Sequence, residues 1–239
     1  MDPVANKILW ERLSLLPREL IGNSNPKFVL DLGGGTGDFA SPLRGEGTTV
    51  ITLDTDKEVL RNRLPGVQAV LGDATVLPFK DGSIDAVTAR AILHHFPTLL
   101  PTGLREVRRV LRSDGLFLAQ EPLADNCLAN IARRYFSTER HEEGERPLKH
   151  DILKKTIEKE FEPQRLEYHF LLSYLYPHIV HRLPGFLKSL ARWETRIVHN
   201  LDRKMLESMP KLHNYAAYMT ILGKKAGKEQ SSSQPEAQG

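Results

Sequence analysis

The stretch Val29–Phe39, "VLDLGGGTGDF", places four glycines directly behind a short apolar run and between two acidic residues. Glycine loses more conformational entropy on folding than any other residue, so this crowding indicates a backbone that something approaches closely. The apolar run predicts a buried strand, and the glycines predict a tight turn with exposed N–H groups that leads into a helix. The segment therefore predicts a ligand-binding loop between a strand and a helix.

Short apolar runs rich in β-branched residues continue on both sides of this loop. They cover residues 27–32, 48–54, 67–73, 83–89 and 115–121, and each predicts a buried strand. Helical patterns lie between them, and the clearest is 102–112, where Leu104, Val107 and Leu111 fall on one face. Strands that alternate with helices predict an α/β fold with a parallel sheet covered on both sides.

The composition is that of an ordinary globular protein of 239 residues with a formal charge of +3. This charge gives no indication of a nucleic-acid partner. Cys127 is the single cysteine, which excludes an internal disulfide and disfavours a cysteine-based zinc cluster. The first twenty residues carry charges and a proline where a signal peptide needs an unbroken apolar core, and no run is long enough for a membrane span. We therefore expect a cytoplasmic protein.

Acidic residues stand at or just past the predicted strand ends, at Asp31, Asp54, Asp73 and Glu121. Ligands of parallel α/β sheets bind beyond the carboxyl ends of the strands. A dinucleotide loop would have its third glycine where this chain has Asp38, and no Lys-Ser or Lys-Thr follows the glycines as in a P-loop. An acid at a helix N-terminus disfavours a pyrophosphate, so the loop suits a ligand with little negative charge.

Two of these acids have a ligand-binding and a structural interpretation. Asp54 lies 19 residues after Gly35, where a carboxylate accepts hydrogen bonds from a ribose diol; alternatively, it caps the helix that begins in "DTDKEVL". Asp73 is placed to accept from an exocyclic amine such as N6 of adenine, with the N–H of Ala74 beside it. Its alternative role is that of a turn residue.

The segments "DLGGGTGDF", "TLDTD", "GDATVLPFKDGSIDAV" and "LREVRRVLRSDGLFLAQEP" resemble, in order and spacing, those of class I S-adenosylmethionine-dependent methyltransferases. The branch most similar contains the ubiquinone/menaquinone C-methyltransferases and many small-molecule enzymes. The resemblance covers about residues 27–122. It implies a Rossmann-like three-layer sandwich around a mostly parallel seven-stranded sheet with the last strand antiparallel. It also implies S-adenosyl-L-methionine as the cofactor, and an enzyme that uses it.

The same resemblance assigns cofactor contacts to positions of this chain. Gly33 and Gly35 would pass under the methionine portion of the cofactor, and Asp31 would lie close to its amino group. The remaining contacts implied are Asp54 and Thr55 at the ribose, Asp73 and Ala74 at the adenine, and Arg90 through its backbone. S-adenosylmethionine has no phosphate and carries a sulfonium and an ammonium, so acidic residues around the loop suit it.

The segment 89–96, "ARAILHHF", follows the fourth strand and is expected to line the space between cofactor and acceptor. His94 or His95 could take a proton at neutral pH, and Glu121 could act as a base or orient one; structural hydrogen bonding is the alternative for all three. Methyl transfer needs a base only if the acceptor loses a proton. The scattered histidines do not form a metal-binding pattern, so we expect no metal.

The chain divides into an N-terminal helical cap at 1–26, a cofactor-binding half at 27–122, a C-terminal half at 123–223 and a disordered tail at 224–239. The C-terminal half is expected to contain a helical insertion at about 176–212. Apolar and basic residues recur at helical spacing over 183–205, which predicts a helix that packs on the domain, covers a greasy acceptor or lies on a membrane surface.

We therefore expect methyl transfer to a small organic or lipid-like acceptor, with peripheral membrane contact through 183–205 as an option. Two alternatives stay open: a non-catalytic methyltransferase-fold protein that binds the cofactor for regulation or assembly, and a methyltransferase acting on protein or RNA. The sequence gives no oligomeric state.

Overall fold

The computed structural model describes residues 2–45, 47–136 and 147–225, which contain one seven-stranded sheet. The strands are β1 (Phe28–Leu32), β2 (Thr49–Asp54), β3 (Gln68–Leu71), β4 (Ile84–Arg90), β5 (Leu111–Pro122), β6 (Glu162–His169) and β7 (Tyr218–Lys224). The helices are α1 (Pro3–Leu20), α2 (Lys57–Arg61), α3 (Leu100–Val110), α4 (Cys127–Phe136), α5 (His150–Glu158), α6 (Tyr176–Arg182) and α7 (Gly185–Ser208).

The order of the strands across the sheet is β3-β2-β1-β4-β5-β7-β6. Strands β1 to β5 pair in parallel, and β7 is antiparallel to both β5 and β6. The predicted fold class, a mostly parallel seven-stranded sheet with an antiparallel last strand, is confirmed. Because the parallel strands end at one edge of the sheet, their carboxyl ends bring the loops that follow them together.

Both faces of the sheet are buried along β1, β2 and β4, as the continuous apolar runs predicted. The edge strand β3 is largely exposed, so the prediction of a buried strand at residues 67–73 is wrong. Leu30 and Leu32 of β1 pack with the face that carries α3 and α5, whereas Val29 packs on the opposite face with Ile21 and Leu43. The buried leucines of helix α1 pack against Phe170 and Tyr218. The alternation of faces along β1 fixes which of its residues lie under the glycine loop.

The helix predicted after the glycine loop is absent. Residues 35–40 form successive turns, and a single 3-10 turn, Ser41–Leu43, precedes β2. Pro42 lacks an N–H donor and restricts the residue before it, and Gly45 and Gly47 interrupt the remaining chain. The prediction that Asp38 stands at a helix N-terminus is therefore wrong: its carboxylate accepts a hydrogen bond from Thr36 Oγ1 at 2.8 Å.

The helical insertion is divided in two. The sequence predicted a helical insertion at about 176–212 that is a single helix or a helix pair, and the structure forms a pair, in which α6 ends at Arg182 and α7 begins at Gly185. Pro184 separates them, because proline disfavours the helical conformation in the residue before it. A further 3-10 helix, Pro210–Tyr215, leads into β7.

Two buried carboxylates attach the insertion to the rest of the protein. Asp2 caps α1 and also accepts hydrogen bonds from Arg192 of α7, at 2.9 and 3.1 Å. Asp202 of α7 accepts the backbone N–H groups of Leu171, Leu172 and Ser173 with one oxygen, at 2.7–3.0 Å. Helix α7 is thereby fixed to the start of α1 and to the chain that leaves β6.

Parts of the predicted organisation lie outside the described residues. These are most of the charged loop "STERHEEGERP", at 137–146, and most of the predicted tail, at 226–239. Lys224, which was assigned to the tail, is the last residue of β7. None of the helices in the described segments is both long and apolar enough to span a membrane.

Candidate active site

The glycine loop holds its shape through positive φ angles and close packing against side chains of the protein itself. Gly33 has a φ of 59°, and a Cβ there would lie 2.3 Å from Cγ1 of Ile92. A Cβ on Gly34 would lie 2.5 Å from Cγ of Asp31. The interpretation that the glycines only make room for a ligand is therefore incomplete, because Gly33 and Gly34 leave space for protein side chains.

Gly35 lies between α2 and the end of β2. Its φ is 53°, and a Cβ there would lie 3.1 Å from Cγ1 of Val59 and 3.9 Å from Oδ2 of Asp54. That same oxygen accepts the N–H of Gly35 at 3.0 Å, so the end of β2 is joined to the middle of the glycine loop. Thr55, which follows Asp54 in the chain, is exposed.

The alternative role of Asp54 as a helix cap is taken by a neighbouring acid. Asp56 caps α2 by accepting the N–H groups of Glu58 and Val59. Oδ1 of Asp54 accepts the N–H of Asp56 at 2.9 Å, which holds the turn between strand and helix. The half-buried carboxylate of Asp54 thus lies between the glycine loop and α2.

Asp31 lies beneath the loop and is completely buried. Its carboxylate accepts the hydroxyl of Thr88 at 2.7 Å and the N–H of Ala40 at 3.2 Å. Burial raises the pKa of Asp31 to about 6, because the charged form is desolvated, and the hydrogen bonds together with Arg90 oppose that rise. A cation near this carboxylate would favour its charged form.

Arg90 ends β4 and directs its guanidinium over the ring of Phe39, 5.0 Å from the ring centroid. Phe39 itself is buried behind the glycine loop. The chain then enters a strained conformation at Ala91, whose φ is 53°, a region that residues with a Cβ seldom adopt. Arg90 therefore stands at the turn where β4 leaves the sheet.

Asp73 follows β3 in a tight turn. Its Oδ1 accepts both the N–H and the hydroxyl of Thr75, at 2.7 and 2.8 Å, and the side chain is exposed. This is the turn geometry that the sequence left as an alternative. The N–H of Gly72 donates to the carbonyl of Asp54 at 3.0 Å, so the Asp73 turn adjoins the Asp54 turn, and Ala74 is buried behind it.

The loop between β3 and β4 is held by Arg109 of α3. Its guanidinium donates to the carbonyls of Leu77 and Phe79 at 2.9 and 2.8 Å and pairs with Asp81 at 2.7 Å. Glu106, which is paired with Arg109, accepts the N–H of Leu77 at 2.8 Å. The turn that carries Asp73 and Ala74 is thus anchored to a helix.

Glu121, near the end of β5, organises the turn after β4. One carboxylate oxygen accepts the N–H groups of Ile92 and Leu93, at 2.8 and 2.9 Å. The other lies 2.8 Å from Nδ1 of His94. Glu121 and His94 are both buried, whereas His95 is exposed and its ring centroid lies 4.5 Å from that of His94. The pair has the arrangement of an imidazole oriented by a carboxylate.

The structure therefore joins the predicted residues in two groups. The first group is the glycine loop with Asp54, beneath which Asp31 lies, and the second is Glu121 with His94. Asp73 and Ala74 lie on the adjoining turn. Among the hydrogen bonds of the described residues, none joins the carboxylate of Asp73 to that of Asp54. In the described residues, no three His, Cys, Asp or Glu side chains form a metal-binding group.

Sequence reasoning missed three residues of this region. They are Thr88, which binds Asp31, Ile92, which covers Gly33, and Arg109, which holds the loop after β3. Thr88 had a usable signal, because a polar residue inside a central buried strand needs a hydrogen-bond partner. Ile92 and Arg109 act through contacts that depend on the packing of separate segments, for which the sequence carries no local pattern.

The segment that carries these residues is similar to known proteins. Residues 30–119 match the family model described as a methyltransferase domain. A demethylmenaquinone methyltransferase from Beutenbergia cavernae is 36% identical over 116 residues, which cover 47% of this chain and 47% of that protein. The chain thus spans about half the length of the curated relatives it matches.

Solved structures share the fold over most of the chain. A SAM-dependent methyltransferase from Archaeoglobus fulgidus superimposes with a TM-score of 0.63 at 17% identity, covering 90% of this chain and 94% of that one. SpnF, described as a cyclase, gives a TM-score of 0.61 at 20% identity, covering 90% and 81%. At these identities the likeness concerns the fold alone. Residues 30–119, less than half of the chain, are thus similar to a methyltransferase domain, and the fold of the chain is that of a solved SAM-dependent methyltransferase.

Proposed function

We propose that the protein transfers a methyl group from S-adenosylmethionine to a small organic or lipid-like acceptor. The observation that carries the proposal is the Asp54 carboxylate at the end of β2, hydrogen-bonded at 3.0 Å to the N–H of Gly35 inside the matched domain. A carboxylate in this position is suited to the two hydroxyls of a ribose. The lipid-like acceptor is supported by relatives named demethylmenaquinone methyltransferases, which the chain matches over less than half of its length.

The residues around the loop fit the charge of S-adenosylmethionine. A pyrophosphate is best bound at a helix N-terminus, and the chain forms turns there instead. The buried carboxylate of Asp31, whose pKa is raised by desolvation, would be stabilised in its charged form by an ammonium nearby. Asp54 at the ribose and the anchored turn of Asp73 and Ala74 at the adenine complete the proposed contacts. A phosphate-free, cationic nucleoside is therefore the ligand class that these side chains favour.

Bound S-adenosylmethionine supplies an activated methyl group, so the protein's task is to position the acceptor and exclude water. Glu121 fixes the turn that carries His94 and His95, next to the end of β4. Because Glu121 accepts at Nδ1 of His94, Nε2 of that ring keeps its lone pair. For an acceptor that must lose a proton, we assign Nε2 of His94 as the group that takes it.

Binding is tested by calorimetry with S-adenosylhomocysteine on the wild type, Asp54→Ala and Asp56→Ala. Asp56 is the matched control because it is an exposed acid two residues away that caps α2. We expect Asp54→Ala to abolish measurable binding. The Asp56 variant should lose about 1 kcal/mol of stability from the missing cap and keep binding. Unchanged affinity in Asp54→Ala would refute the assignment of Asp54.

Turnover is tested separately, since SpnF among the structural neighbours is described as a cyclase and a fold does not fix an activity. Cell extract is incubated with the enzyme and methyl-labelled S-adenosylmethionine, then separated into organic, aqueous, protein and RNA fractions for mass spectrometry. Label in a small molecule of the organic or aqueous fraction supports the proposal. Label confined to protein or RNA assigns a macromolecular acceptor, and binding without any transfer favours a regulatory or assembly role.

A further inference from the structure

Helix α7 presents its large apolar side chains to the solvent. Phe186 is 82% exposed and Trp193 is 61% exposed. The full set, here called the apolar stripe, is Phe186, Leu190, Trp193, Ile197 and Leu201. These positions recur at steps of three and four residues, so they lie along one face of the helix. The opposite face, which packs on the protein, buries Ala191, Thr195, Asp202 and Leu206.

This orientation is fixed by buried contacts. Asp2, which caps α1, accepts hydrogen bonds from Arg192 of α7 at 2.9 and 3.1 Å. The single oxygen of Asp202 that binds three backbone N–H groups prevents α7 from rolling. Rotating the apolar stripe inward would leave these buried polar groups without partners, which is costly. The contacts that hold α7 therefore keep the apolar stripe exposed.

The stripe is also bordered by positive charge. Arg196 follows Trp193, and Lys204 follows Leu201, at the three-residue spacing that makes side chains neighbours on a helix. Both cations are exposed. Of the three acids on the helix, Asp202 is buried, Glu207 is paired with Arg203, and Glu194, which follows Trp193 in the chain, is exposed. An amphipathic helix with apolar residues, an exposed tryptophan and flanking cations fits the surface of an anionic bilayer.

We propose that the apolar stripe of α7 docks the protein on anionic lipid membranes. A second copy of the chain is a poorer occupant on two grounds. The stripe spans 15 steps, which is roughly 22 Å, so two copies would bury only about 500 Å², well short of the ~1,200 Å² of stable interfaces. Lysine is depleted at protein interfaces, although arginine is enriched there, so it is Lys204 that disfavours a second copy, whereas anionic headgroups attract both Lys204 and Arg196.

The docked helix lies at the edge of the sheet that carries the candidate active site. Asp202 holds the residues that follow His169, the last residue of β6. His169 pairs with Tyr218, which in turn pairs with Pro122 next to Glu121. A membrane contact through α7 would therefore bring this edge towards the bilayer.

The test uses the full chain and vesicles of two parts phosphatidylcholine to one part phosphatidylglycerol, with pure phosphatidylcholine as the neutral comparison. We expect co-sedimentation with the anionic vesicles and much weaker binding to the neutral ones. The chain contains two tryptophans, so a Trp10→Phe variant reports from Trp193 alone. Its fluorescence should shift to the blue and be quenched by brominated lipids.

Two variants separate the apolar and the electrostatic contributions. Phe186→Ser with Trp193→Ser should abolish co-sedimentation. Arg196→Glu with Lys204→Glu should lower vesicle affinity about 25-fold or more, because each cation near an anionic surface contributes about fivefold. Matched controls on α5 are Ile152→Ser, which removes an exposed apolar residue, and Lys155→Glu with Lys159→Glu, which reverses two exposed charges; both should bind like the wild type.

The proposal is overturned if the wild type does not sediment with anionic vesicles, or if both stripe variants bind like the α5 controls. Light scattering tests for a second copy as the occupant of the stripe. That assignment would require a mass that doubles as the protein concentration rises, a monomer mass in the variant with Phe186→Ser and Trp193→Ser, and no binding to vesicles. Because all of these readouts are independent of the cofactor, their failure is distinct from a failure of the proposed activity. Circular dichroism of each variant confirms that the exposed substitutions leave the protein folded.

Discussion

Nδ1 of His94 lies 2.8 Å from Oε2 of Glu121, and the other oxygen of the same carboxylate binds the N–H groups of Ile92 and Leu93. One buried side chain thus sets both the backbone of the turn and the orientation of the imidazole. Because a carboxylate only accepts hydrogen bonds, the neutral ring must carry its proton on Nδ1 and leave Nε2 free to accept one.

Replacing Glu121 separates these two roles. Glu121→Ala leaves two backbone N–H groups without an acceptor, so we expect a loss of about 2 kcal/mol in the free energy of unfolding. Glu121→Gln keeps one accepting oxygen, but its amide donates to Nδ1 and places the ring proton on Nε2. For an acceptor that must be deprotonated, kcat should then fall about 100-fold or more, with binding of S-adenosylhomocysteine retained. Urea unfolding, calorimetry and kinetics check these points, and wild-type turnover in Glu121→Gln would exclude His94 as the base.

The close contact between Gly33 and Ile92 predicts a partial rescue. Gly33→Ala should be destabilising both through its positive φ, at about 1 kcal/mol, and through the clash with the Ile92 side chain. In an Ile92→Ala background the clash disappears, so the added cost of Gly33→Ala should fall to the conformational part. Gly47→Ala is the control, because Gly47 has a φ of 86° and open space around it. Equal costs of Gly33→Ala in both backgrounds, measured by urea unfolding, would contradict the packing role of Ile92.

Asp31 predicts a stability that falls with rising pH. Burial raises the pKa of Asp31 from 3.8 to about 6, so the folded state binds the proton more tightly than the unfolded state. The contribution of this group is largest below about pH 4 and declines until about pH 6. Asp31→Asn removes the titration, so its stability should lack the fall of up to about 3 kcal/mol that the wild type shows between about pH 4 and 6. Unfolding curves across this range check the difference, and parallel profiles for the two proteins would contradict it.

His169 predicts the opposite slope. Its ring is buried beside Thr220, with Nε2 2.9 Å from Oγ1, and burial lowers the pKa of His169 from 6.5 to about 3. The unfolded state therefore takes up a proton that the folded state excludes, and stability falls as the pH drops below about 6.5. Between about pH 6.5 and 5 the loss should be roughly 2 kcal/mol, and it should be absent in His169→Asn. If the stability of His169→Asn falls with pH as in the wild type, a group other than His169 causes that fall.

The strands and their parallel arrangement could be predicted because short apolar runs alternate with helical patterns. The acids at the strand ends were placed at one edge for the same reason, and Asp54 indeed meets the glycine loop there. The helix expected after Gly37 was wrong, because Pro42 and the later glycines outweighed the usual connection between strands. The break at Pro184 could have been read from the residue itself.

The contacts of the candidate site were harder to predict than its location. Asp31 and Thr88 are in contact because β1 and β4 are neighbours in the sheet. That adjacency cannot be predicted from the sequence of either segment. Ile92 reaches Gly33 only because Glu121 holds its N–H group. Such contacts arise from the assembled fold, whereas periodicity and turn residues report only on local structure.

The pairing of His169 with Tyr218 means that everything between β6 and β7 leaves and re-enters the sheet at one point. Because the two ends of this segment are adjacent, the segment can be exchanged or resized without changing the register between β6 and β7. The glycine loop and Asp54 lie on strands that this exchange does not touch. The outer surface of this segment can therefore differ while the glycine loop and Asp54 stay as they are.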